Sequence, residues 1–177
     1  MVDMDVVVIL IGKFHHLITL GQDVSIWGAF GMGKNFTYHH INSIYDVLGK
    51  EKSLALPLFH SFTGCDTTSA FFGKGKQSAW EAWKCYPDVT RAFTYMALNP
   101  YTKVDADVPH FQLLEHFTVI LYDKTSDLEH VDEARKALYC QKGKTMDTIP
   151  PTQDALLQHS KRVANQAGIW STSEQSE

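Results

Sequence analysis

Val6-Val7-Val8-Ile9-Leu10-Ile11, preceded by Asp3-Met4-Asp5, is the stretch on which the fold class turns. Six apolar residues in succession, three of them valines, predict a strand buried on both faces. Such strands lie at the centre of parallel sheets covered by helices. The expected class is therefore α/β. A central strand this close to the start also implies that the front half of a domain is missing. In an extended chain Asp3 and Asp5 project to one face, so both carboxylates would point at one spot beside the sheet edge. They would repel each other unless a cation lay between them, and hard oxygen ligands suit Mg²⁺ or Mn²⁺. A solvated turn is the alternative reading of the same residues.

Beyond this run, Val24–Phe30 and Asn35–Ile41 read as two further short strands, with Gly31 and Gly33 marking a tight turn between them. The period then changes. Ile41, Ile44, Val47 and Leu48 follow helical spacing, with Gly49 placed as a C-terminal cap. A second helix over Glu51–Phe62 carries Pro57 as an expected kink. Helices are predicted over 77–86 and 88–98, broken at Pro87, with a polar loop over 99–107. Three more follow over 111–122, 128–141 and 152–166, the last capped by Thr152 after Pro150-Pro151. The expected architecture is strands first and an all-α second half.

The 177 residues carry 16 Lys+Arg and 20 Asp+Glu, a net charge of -4. That balance excludes a global basic field of the histone type, so any contact with nucleic acid must come from a local patch. At 44% hydrophobic and 20% charged, the chain has the composition of an ordinary globular protein. The start lacks the basic residues of a signal peptide, and no apolar run approaches the roughly 20 residues that span a bilayer. An intracellular protein without membrane contact is expected. Cys65, Cys85 and Cys140 are odd in number and widely spaced, which points to reduced thiols rather than disulfides or a zinc module.

The richest constellation is Gly64-Cys65-Asp66-Thr67-Thr68 followed by Gly73-Lys74-Gly75-Lys76. Glycines at 73 and 75 let the backbone approach a polyanion. The helix that follows offers unpaired N–H groups, and Lys74 and Lys76 supply charge. Between 73 and 91, four cations (Lys74, Lys76, Lys84, Arg91) stand against Glu81 and Asp88, a local net of +2. A P-loop is excluded because GxxxxGK[ST] is absent. A glycine turn with solvated lysines is the plainer reading. Other candidates are weaker. His15-His16 and His39-His40 lack metal-ligand spacing, and Cys65 with His60 as nucleophile and base lacks an orienting partner. Trp27, Trp80, Trp83 and Trp170 could stack on bases, although Trp80 and Trp83 at helical spacing read as core.

Asp3-Met4-Asp5, then Gly64-Cys65-Asp66, then six residues and Gly73-Lys74-Gly75-Lys76 before a helix resemble the flap endonuclease family of PIN-like nucleases. The resemblance spans about residues 3 to 95. It implies the C-terminal half of a PIN-like domain over 1–98, with a helix–two-turn–helix element over about 53–86. A helical extension over 108–170 and a disordered tail over 171–177 complete the expected organisation. It further implies that Asp3, Asp5 and Asp66 are metal-binding catalytic carboxylates. They would hold Mg²⁺ or Mn²⁺ for phosphodiester hydrolysis, in a scheme where two ions about 4 Å apart activate water and stabilise the leaving oxygen. Gly73, Lys74, Gly75 and Lys76 would hold DNA, with K⁺ at the turn, in the nucleus, and no organic cofactor is implied. The family's earlier acids lie upstream of its DxD, so the chain by itself is expected to be inactive. The segments 29–31, 33–36, 62–67, 133–136 and 149–152 are also similar to animal proteins linked to mobile elements. The alternative function is a nuclease-like module that has lost catalysis and binds nucleic acid or protein.

Overall fold

The computed structural model describes residues 4–21, 24–31, 33–141, 143 and 145–172. Asp3 and the tail beyond 172 lie outside them. Within these residues the chain forms seven α-helices, α1 (Met4–Thr19), α2 (Ile41–Phe62), α3 (Lys76–Cys85), α4 (Val89–Leu98), α5 (Pro109–Tyr122), α6 (Val131–Tyr139) and α7 (Gln153–Thr172). Two short strands, β1 (Trp27–Phe30) and β2 (Thr37–His40), pair antiparallel with Trp27 opposite His40.

The parallel-sheet α/β class, and with it the partial PIN-like sheet, is therefore corrected. The run 6–11 is not a central strand; it lies inside α1. The reason is visible in the wider spacing. Val7, Ile11 and Phe14 recur at i, i+4 and i+7 and are all buried, so they form a helical stripe. That stripe packs on α2, and with Ile41 and Tyr45 it forms a small core of its own. The crossing is close: a Cβ at Gly12 would come within 2.5 Å of the Pro57 ring. Phe14 meets Tyr45 edge-on at 5.1 Å between ring centroids, and His15 Nδ1 lies 2.8 Å from the Tyr45 hydroxyl.

The hairpin falls where the two short strands and the Gly31–Gly33 turn were expected, with φ of 94° and 56° at the two glycines. Asn42 extends it. Its Oδ1 accepts from the Ile26 amide at 3.0 Å and its Nδ2 donates to the Val24 carbonyl at 2.8 Å, so one side chain serves as a strand partner. In α2 the non-helical residue is Gly49 (φ 75°, ψ 167°), which divides the element into the two helices read from the sequence. Pro57, the expected kink, keeps helical geometry.

From α2 onward one aromatic core runs to α7. Phe62, Phe93, Phe111 and Phe117 are fully buried, Phe59 stacks on Trp83 at 4.6 Å, and the Trp83 indole N–H donates to Thr90 Oγ1 at 2.8 Å. Trp83 is core, as its spacing suggested. The later helices are tied by a buried carboxylate on α5. Glu115 accepts from the Val131 amide at the start of α6 (3.1 Å), from His130 Nδ1 (3.2 Å) and from Gln153 Nε2 at the start of α7 (3.0 Å). Among the described residues, no helix is long and apolar enough to cross a membrane.

Candidate functional site

The segment between α2 and α3 is built from two tight turns. Gly64 adopts φ 102°, and a Cβ there would lie 2.9 Å from the Ala70 amide nitrogen, so the loop closes on itself only with glycine at this position. Thr68 secures the closure: its Oγ1 donates to the Ser61 carbonyl at 2.6 Å and accepts from the Cys65 amide at 3.2 Å. Asp66 stands exposed on this loop. The second turn passes through Gly73 (φ 65°), where the Lys74 amide bonds to the Phe71 carbonyl at 3.0 Å. Gly75 then serves as N-cap of α3 without a side-chain cap.

Asp5, in the first turn of α1, reaches this segment. Its Oδ1 accepts from His60 Nε2 at 2.7 Å, and both side chains are largely buried, 20% and 12% exposed. His60 in turn offers its carbonyl to the Lys76 ammonium, which also donates to Thr63 Oγ1 at 2.7 Å. Burial lowers the Lys76 pKa to about 8, against the opposing pull of the Cys65 and Asp5 charges. Nearby, burial pushes the Cys65 thiol up, but hydrogen bonds from the side chains and amides of Thr67 and Thr68 outweigh it and bring the thiol below its ordinary value.

Of the expected site residues, Asp5 and Lys76 both bond to His60, Asp66 lies exposed on the loop, and Asp3 is outside the described residues. Asp5 and Lys76, 71 positions apart, are linked through His60, whose ring bonds one and whose carbonyl bonds the other. Lys76 points inward to the carbonyl of His60 and is half-buried. Lys74 lies 4.9 Å from the centre of the Tyr122 ring, a cation–π contact. A Cβ at Gly73 or Gly75 would meet nothing within 4 Å, so both look onto open space. The group that joins the motifs, His60, was weighed only as a base for Cys65. Its position one turn before Gly64 was the signal that it shares their corner.

Compared with protein-family models, curated proteins and solved structures, the chain finds no match in any of the three. Among the described residues, no three His, Cys, Asp or Glu side chains come together to hold a metal ion. One Asp5 oxygen is bonded to His60, and the Asp5 charge favours the protonated form of Lys76. Asp3, the third carboxylate of the expected Mg²⁺ or Mn²⁺ site, lies outside the described residues.

Proposed function

We propose that this chain is a nucleic-acid-binding module that takes a DNA phosphate at the N-terminus of α3. The carrying observation is the open face of Gly73 and Gly75 at an uncapped helix start. The amides of Lys76, Gln77 and Ser78 precede the bond from Ala79 to Gly75, and first-turn amides have no partner within their own helix. The resemblance to flap endonucleases supports the same element as a backbone holder. The Asp5–His60–Lys76 cluster fixes α1 against the turn and acts as scaffold.

Gly75→Asp tests this. An aspartate there would cap α3 and stabilise it, yet it would occupy the same amides and repel phosphate. The expected result is duplex DNA binding weakened roughly tenfold by fluorescence anisotropy, with a protein at least as stable as the parent. Undiminished affinity would remove the turn from the interface. The enzyme reading is tested alongside with flap and hairpin DNA in Mg²⁺ or Mn²⁺. Cleavage by the parent that Asp66→Ala abolishes would replace binding with catalysis.

A further inference from the structure

A groove of mixed apolar and basic lining opens between the 67–72 loop and α7. One part is a cleft of about 330 Å³ bordered by Phe72, Tyr122, Arg135, His159 and Arg162. A second part, about 400 Å³, continues past Arg162 to Thr67 and Lys161. Arg162 borders both, so the two form one track along α7. From Ala155 to Gln166 the helix rises roughly 16 Å, enough for several phosphates in a row. In a chain of net charge -4, the described residues lining this track include three cations, Arg135, Lys161 and Arg162, and no carboxylate.

The chemistry of the lining is specific. Among the described residues, no carboxylate pairs with Arg162, and Arg135 is held in place by donating to the Pro150 carbonyl. Lys161 sits 3.9 Å from Asp105, an exposed pair worth little in water. Phe72 is 66% exposed beside the buried Phe71, an aromatic face turned to solvent at the rim of a basic cleft. His159 donates from Nε2 to the Phe62 carbonyl at 2.8 Å, and burial lowers its pKa, so it borders the groove as a neutral ring. Spaced guanidinium groups with an exposed aromatic match an unpaired strand, whose phosphates and base faces are both accessible.

We infer that the groove between the 67–72 loop and α7 binds single-stranded nucleic acid, with phosphates on Arg162, Lys161 and Arg135 and a base stacked on Phe72. This rests on the nucleic-acid reading above but uses different residues, so the two can fail separately. The test is anisotropy of labelled oligothymidine across a salt series. For three phosphate contacts the logarithmic salt slope should be near -2. Arg162→Glu should weaken binding at least tenfold and flatten that slope by about 0.7. Phe72→Ala should weaken binding about tenfold and leave the slope unchanged. Both residues are exposed, so the variants should melt as the parent does. Oligothymidine binding that ignores both substitutions overturns the inference. If duplex binding through Gly75 persists in that case, the proposed function stands; if neither nucleic acid binds, both fall. Polyglutamate or inorganic phosphate displacing the strand at equal charge concentration would likewise overturn it, assigning the groove to acidic peptide or free anion.

Discussion

The N-terminal region, α1 with the hairpin, and the helical region from the middle of α2 to α7 bury their apolar residues in different ways. The first gathers five buried residues, Val7, Ile11, Phe14, Ile41 and Tyr45, into a satellite core. It leaves Trp27, Phe36 and Tyr38 exposed. The second interlocks rings from four helices and the 64–75 segment around Phe62 and Phe93. A helix whose buried stripe is that short is held mainly by α2 and by a few polar contacts, so its stability is local. The larger core couples distant elements, so loss of any one ring is felt throughout.

That contrast predicts unequal costs. Phe93→Ala removes a ring that touches Phe59, Phe62, Trp83 and Phe117, and should destabilise the chain by about 3–5 kcal/mol. Ile11→Ala in the satellite core should cost about 2 kcal/mol, because the thin surroundings can collapse. Urea unfolding of both variants measures the difference. Equal costs would mean that the satellite core is as tightly built as the main one.

A sharper probe is the α1–α2 crossing. Gly12→Ala drives a methyl group into the Pro57 ring, at 2.5 Å before relaxation, and should cost about 1–3 kcal/mol. If the N-terminal region is locally stabilised, amide exchange should quicken in α1 and the hairpin while the α4 and α5 amides keep their protection. Uniform loss of protection would show one cooperative unit and break the comparison.

The same contrast explains what the sequence made legible. From residue 41 onward, helical periodicity is punctuated by Gly49, Pro87 and Pro150-Pro151, and each expected helix is present, the last running six residues past its expected end to Thr172. Residues 6–11 have no such phase: six apolar side chains in a row satisfy a buried strand and a buried helix equally. The decision lay outside the run, in Phe14 at i+7 from Val7 and in the absence of a proline before Gly21, with Gly12 taken into the helix. The local turns of the site were also legible, because glycine and threonine requirements are written in adjacent residues. The inward course of Lys76 and the joining of Arg135 to Arg162 were not. Each depends on helices packing from far along the chain, which no spacing encodes.

The seam between the two regions passes through Lys76, and its titration gives the smallest but most specific effect. In the unfolded chain this ammonium should titrate near its ordinary value, about 10.5; in the folded chain burial lowers it to about 8. Between these pH values the unfolded state binds a proton that the folded state does not, so stability rises with pH through that window. Below about pH 8 both states are charged, and folding bears the full cost of desolvating the ammonium. Lys76→Met keeps the buried stem and removes the titration. With its partial solvent contact discounted, the parent should gain on the order of 1 kcal/mol over the variant between pH 8 and 10.5. Taking the difference between the two proteins cancels the tyrosines and cysteines that titrate in the same range. A difference that stays flat across the window would mean that Lys76 is solvated. The ammonium would then face outward, available to phosphate after all, and the seam would be held by Asp5 and His60 alone.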